Sequence, residues 1–168
     1  LLDYGADATG GPRASRGSPV ACACQNGHRA VAELLLQYGA TCQQMPLDYV
    51  VRNGWDDWAQ VILNGTNDVS LDLGHILHVA CESGRTNLVE DLLQRGTDVD
   101  GRDSWNNDCP VTAALAYPGI VAILVRHGCR VTWPLVRQAA YHRQTNSYYI
   151  LKHRLTAPPV AAAAGKVP

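Results

Sequence analysis

Two stretches of this chain can be laid over one another without a gap, and that self-similarity constrains the fold more than any other feature. Ser18-Pro19-Val20-Ala21-Cys22-Ala23-Cys24-Gln25-Asn26-Gly27-His28 runs on through Val31 and Leu34-Leu35-Leu36 to Gly39-Ala40. His75-Ile76-Leu77-His78-Val79-Ala80-Cys81-Glu82-Ser83-Gly84-Arg85 runs on through Leu88-Val89 and Leu92-Leu93 to Gly96-Thr97. In each, one glycine closes a short helical pattern and a second, twelve residues later, closes another. A unit this small cannot bury its apolar side alone, so it has to stack on its neighbours.

Looser copies follow the same plan. Met45-Pro46-Leu47 leads to Gly54 and then Gly65, one residue short. Cys109-Pro110-Val111 leads through Tyr117-Pro118-Gly119 to Gly128, with about two residues lost between the helices. Trp133-Pro134-Leu135 opens a last copy that ends near Leu155, and Leu1-Leu2-Asp3-Tyr4-Gly5-Ala6-Asp7 reads as the tail of a copy whose start is missing. Proline suits the first helical turn, where its missing N–H costs nothing. Val89, Leu92 and Leu93 recur at helical spacing and form one buried stripe. The glycine after each helix supplies the left-handed conformation that ends it. A polar, turn-rich segment, Asp98-Val99-Asp100-Gly101-Arg102-Asp103-Ser104-Trp105-Asn106-Asn107-Asp108, separates two units.

The pattern resembles the ankyrin repeat, Thr-Pro-Leu-His-x-Ala-Ala-x-x-Gly-His followed by Leu-Leu-x-x-Gly-Ala. The match is close at 18–40 and 75–97 and loose at 45–65, 109–128 and 133–155. The resemblance implies an all-α, right-handed solenoid of helix-turn-helix units with short hairpin or loop fingers along one edge. The chain then divides into the end of a truncated repeat and its finger (1–17), five copies (18–44, 45–74, 75–108, 109–132 and 133–155) and a flexible Pro/Ala-rich tail (156–168). Because residue 1 falls inside a repeat, the chain is expected to be a piece of a longer one. The structural positions are Gly27, Gly39, Gly54, Gly65, Gly84, Gly96 and Gly128, together with His78. Where the family has the histidine of Thr-Pro-Leu-His, this chain has Ala21, Asp48, His78, Thr112 and Val136. Only the third copy can make that residue's inter-repeat hydrogen bonds, so the stack is expected to be uneven and firmest there.

Catalytic and metal-binding readings find little support. His75, His78 and Cys81 stand at i, i+3 and i+6, which does not gather them on one compact face for a metal. Cys22 and Cys24 precede His28, but Cys24 shares its register with Cys81, as expected of small buried thiols. A calcium loop counted from Asp98 would need glutamate at its twelfth position and finds Cys109. No phosphate loop and no Gly-x-Ser-x-Gly occurs. No enzyme activity, cofactor or small-molecule substrate is expected.

Charge is divided along the chain. All fifteen acids lie at or before Asp108, with seven arginines, a net of −8; from Cys109 onward five arginines and two lysines meet no acid, a net of +7. This asymmetry either adds solubility and end-to-end attraction or lets the acidic part greet a basic partner. The cations Arg126, Arg130, Arg137, Arg143, Lys152 and Arg154, interleaved with Tyr141, Tyr148 and Tyr149, raise a nucleic-acid face as an alternative. Against it, no nucleic-acid module motif is present, and the tyrosines of a terminal helix pair are expected to pack inward. Six cysteines could form disulfides, yet they sit where the repeat explains them and no secretory leader is seen, so an intracellular, cytoplasmic or nuclear setting with reduced thiols is expected. No apolar run approaches the roughly 20 residues that cross a bilayer.

The resemblance implies binding of another protein on the concave face built from finger tips and first helices. Carried over by position, that face takes Arg102, Ser104, Trp105 and Asp108 from a finger, and Gln25-Asn26, Arg52-Asn53 and Glu82-Ser83 from the ends of the first helices. Trp58 is expected in the core, Trp133 half-buried and Trp55 in either setting, while Trp105 at its finger tip is either an exposed interface anchor or folded back onto a neighbouring finger. A segment that only spaces other domains is the alternative.

Overall fold

A computed structural model describes residues 19–38, 47–65, 72–102 and 107–156. All regular structure among them is helical, in ten short α-helices and one 3-10 turn. They fall into two compact units, Leu1–Leu71 and Asp72–Pro168.

The first unit holds two helix pairs: α1 (Pro19–Gln25) with α2 (Arg29–Gln37), and α3 (Leu47–Arg52) with α4 (Asp56–Gly65). The second holds three: α5 (Leu73–Glu82) with α6 (Thr86–Gln94), α7 (Pro110–Ala113) with α8 (Pro118–Arg126), and α9 (Trp133–Tyr141) with α10 (Thr145–Thr156). Proline stands in the first turn of α7, α8 and α9. The carboxylate of Asp72 caps α5 by accepting from the His75 N–H at 3.0 Å.

The turn inside each pair repeats one device. In three of them a glycine at positive φ (Gly27, Gly54 and Gly84, near +74°) reverses the chain. The N–H beyond it reaches back five residues, His28 to Ala23, Trp55 to Val50 and Arg85 to Ala80, at 2.8, 3.1 and 2.9 Å. This is the bond that satisfies an orphan carbonyl at a helix end. Gly96 and Gly128 end second helices in the same way, at φ +89° and +91°. Gly65 is the last residue of α4, and Gly39 lies outside the described residues. In the last pair Arg143 holds the glycine's register at φ +57°, and Gln144 still donates to Ala139 at 2.9 Å.

The fourth pair departs, for a reason visible in its length. With residues missing between its helices there is no room for the glycine turn. The chain tightens instead into a 3-10 turn (Ala114–Ala116), with Tyr117 donating to Ala114 at 2.8 Å before Pro118 starts α8. The Tyr117 ring then lies against the preceding turn, where a Cβ on Gly84 would stand 2.6 Å from it. Gly84 is required twice over, by its backbone angle and by this neighbour.

The core is the aliphatic stripe of the second helices meeting the first helices. Leu77, Leu88, Leu92, Ile120, Leu124 and Leu151 are almost wholly buried. Between residues 76 and 81 every side chain of α5 is buried, His78 among them at 5 % exposure. Two side chains join neighbouring pairs through backbone carbonyls: Asn53 Nδ2 donates to Cys24 at 2.6 Å, and the buried Ser147 hydroxyl donates to Leu115 at 2.7 Å. Two of the copies without the family's histidine, the second and the fifth, thus make inter-pair hydrogen bonds of their own that the sequence reading did not count.

Three aromatic expectations need correction. Trp133 is 57 % exposed rather than half-buried, because it precedes the apolar stripe of α9, which begins at Leu135. Trp58 is half-buried at the margin of its unit, edge-on to Trp55 at 5.6 Å and covered by the Arg29 guanidinium at 5.8 Å. Tyr141 and Tyr149 do not pack inward; they are 84 % and 62 % exposed.

Candidate functional site

In the second unit the finger after α6 and the loop after α8 stand beside the first helices α7 and α9. The Asp98 carboxylate accepts from the Asp100 N–H at 3.0 Å, and the Asp98 carbonyl accepts from Gly101, so the finger turns tightly at its base. Asp100 in turn accepts the Arg130 N–H with both carboxylate oxygens, at 2.8 and 3.2 Å, which staples one finger to the next. Arg102 donates to the carbonyl of Asn107 at 2.7 Å, and Asn107 sits at φ +58°. The two ends of the finger are tied by that bond.

These constraints frame an open cavity of about 630 Å³. Its wall takes Arg102 and Asp108 from one finger, Asp98 and Arg130 from the bases of two, and Gln138 and Leu135 from α9. The lining is mostly polar and carries both signs of charge. It suits recognition of a polar surface with its own pattern of charge rather than burial of an apolar ligand.

The structure thus brings Arg102 and Asp108 together on one wall. Ser104 and Trp105 lie outside the described residues. Glu82 is exposed at the end of α5 and Ser83, half-buried, caps that helix, but neither lines the cavity. In the first unit Gln25 and Arg52 are exposed. The amide nitrogens of Asn26 and Asn53 are engaged within the fold, Asn26 with Cys22 at 2.7 Å and Asn53 with Cys24. Sequence reasoning missed Gln138, Arg130 and Asp98. The first-helix register of Gln138 was readable, but a wall shared by two fingers is not visible in any one copy.

The Cys81 and Cys129 thiols are each pushed up to about 12, chiefly by burial, which disfavours their thiolate forms. Among the described residues no group of histidine, cysteine and acid side chains is placed to hold a metal ion. None of their helices is long and apolar enough to cross a membrane.

The sequence pattern described as "Ankyrin repeats (3 copies)" matches residues 1–103. Among solved structures, the human ASB11 ankyrin repeat domain superposes with a TM-score of 0.64 at 23 % identity, over 85 % of this chain and 70 % of that one. No curated protein matches the chain. With three of its helix pairs turned on glycine and the family's pattern over more than half its length, this chain belongs to the ankyrin repeat family.

Proposed function

We propose that the chain is a non-catalytic scaffold or adaptor that binds another protein on its finger and first-helix side, with the cavity walled by Arg102, Asp108, Arg130 and Gln138 as the centre of contact in the second unit. Ankyrin repeats are in general protein-interaction modules, which makes a protein the expected class of partner. The observation that carries the choice of face is the cavity itself. It lies where two fingers and a first helix converge, and it presents charged groups of both signs, of which the Arg102 guanidinium and the Asp100 carboxylate are already bonded within the fold. Groups fixed before binding lose less entropy when a partner arrives. An intracellular setting goes with this reading, since the five described cysteines are free thiols.

Capture of partners from cell extract, quantified by mass spectrometry, tests it. Arg102→Glu and Gln138→Ala are each expected to deplete the same partner at least about fivefold while thermal unfolding stays unchanged, because truncating a central contact costs on the order of 1–2 kcal/mol. Trp105→Ala extends the test to the finger tip. Undiminished capture by all three folded variants would remove this face from consideration and leave the spacer reading.

A further inference from the structure

The second helices α8 and α10 pack side by side, and between them runs a shallow groove of about 590 Å³. Its two walls follow helical spacing: Val125 and Arg126 with Ala122 on α8, and Tyr149 and Ile150 with His153 and Arg154 on α10. The floor is apolar. Val125 and Ile150 are only half-covered, and Tyr149 leaves 62 % of its surface to solvent. The rim is cationic, with Arg126, Arg154 and the neighbouring Lys152 all exposed. From Cys109 to the end of the sequence there is no acid to neutralise them. Among the described residues Glu90 on α6 approaches, meeting Arg126 at 3.5 Å with the two side chains 42 % and 68 % exposed. An ion pair so exposed is weak and readily exchanged.

We propose that this groove binds an acidic amphipathic segment of a partner protein, its apolar side chains on Val125, Tyr149 and Ile150 and its carboxylates on Arg126 and Arg154. The charge of the rim selects the sign of the occupant, and an apolar floor between two helices is the surface an amphipathic helix fills with residues at i, i+3, i+4 and i+7. A nucleic acid fits less well, because the floor between the cations is aliphatic, formed by Ala122, Val125 and Ile150, and gives successive bases no continuous stacking platform. This surface lies on the second helices and is separate from the cavity of the proposed function, so either can fail without the other.

The test uses the whole chain and fluorescence anisotropy with two synthetic helical peptides that share leucines at i, i+3, i+4 and i+7 and differ only in carrying Glu or Lys elsewhere. The Glu peptide is expected to bind at least about tenfold more tightly than the Lys peptide, with an advantage that shrinks as salt is raised. Arg126→Glu combined with Arg154→Glu is expected to abolish that preference with the unfolding midpoint retained. Tyr149→Ala is expected to weaken the Glu peptide several-fold, consistent with loss of an aromatic contact. Equal binding of the two peptides, no binding of either, or wild-type affinity in the doubly reversed variant overturns the proposal. So does tighter retention of a single-stranded oligonucleotide or of phosphatidylserine vesicles than of the Glu peptide.

Discussion

Helices α2 and α6 occupy the same place in gap-free copies of one motif, yet they are buried very differently. On α6, Leu88, Val89, Leu92 and Leu93 are all buried. On α2, Ala32 and Leu35 are buried, but Val31 and Leu34 are 50 % and 44 % exposed. The neighbours account for part of this. Helix α6 is packed by both α5 and α8, whereas the helix principally packed against α2 is α1. Residue chemistry adds the rest: where α2 has Leu34, α6 has the acid Asp91, which ion-pairs with Arg95 at 2.7 Å and needs no cover. An apolar residue on the stripe contributes only when the next unit closes over it, as expected where stability is a sum of units and their interfaces.

The sharpest way to break that comparison is to truncate the same stripe on both helices. Leu88→Ala, at a position 1 % exposed, is expected to cost about 2–5 kcal/mol, whereas Val31→Ala, at the matching position of α2 and 50 % exposed, should cost under about 1 kcal/mol. Urea unfolding of the two variants would measure both. Similar losses would mean that α2 is covered in solution to the same degree as α6.

The turns offer a second contrast. Gly27 and Gly84 have nearly the same φ, +74° and +73°. A methyl group on Gly27 would come no nearer than 3.7 Å to a neighbour, the Asn53 side-chain oxygen, while one on Gly84 would overlap the Tyr117 ring. Gly27→Ala is expected to cost about 1–2 kcal/mol, the penalty of left-handed backbone alone. Gly84→Ala should cost about 1–3 kcal/mol more, the range for overpacking a filled site. A double-mutant cycle with Tyr117→Ala should recover most of that excess as coupling. Absence of coupling would show that Tyr117 swings aside.

Much of this architecture was legible before any coordinates, and the limits are instructive. Periodicity placed the stripe at Val89, Leu92 and Leu93, and the glycines marked the turns, because both signals act within a single copy. The 3-10 turn at Ala114–Ala116 follows from the missing residues, but its consequence, Tyr117 against Gly84, depends on two copies meeting. Ser147 shows the same limit. It stands in the register of Leu88 and looks like a flaw in the stripe, yet it is buried and bonded to the Leu115 carbonyl. For the candidate site, Arg102 and Asp108 could be named from the finger, whereas Arg130 and Gln138 belong to later units and join the wall only when the units stack.

The last pair provides a smaller and opposite effect. Arg143 pays for a backbone conformation that glycine adopts freely, at φ +57°. Arg143→Gly is therefore expected to stabilise the second unit by about 0.5–1 kcal/mol, the left-handed penalty relieved less the extra flexibility given to the unfolded chain. A lower melting temperature in this variant would mean that the Arg143 side chain holds something that its backbone strain conceals.

The smallest effect concerns the first unit and its dependence on pH. The Arg29 guanidinium grips Asp57 with two bonds, at 3.1 and 2.6 Å, and reaches Glu33 at 2.8 Å. That grip holds the Asp57 carboxyl below its usual value, against a smaller opposing effect of desolvation. A carboxyl depressed on folding adds stability above its unfolded value and loses it as pH falls through the folded one. The contribution of Asp57 should thus be full at neutral pH and fade as the solution is acidified from the ordinary carboxylate range downward. Comparing wild type with Asp57→Asn across that window, at low and high salt, isolates it: the gap between the two midpoints should be widest at neutral pH and low salt, and close on acidification. A gap constant with pH would show that Asp57 serves only as a neutral hydrogen-bond acceptor, and that the first unit draws nothing from this charge to offset its barer stripe.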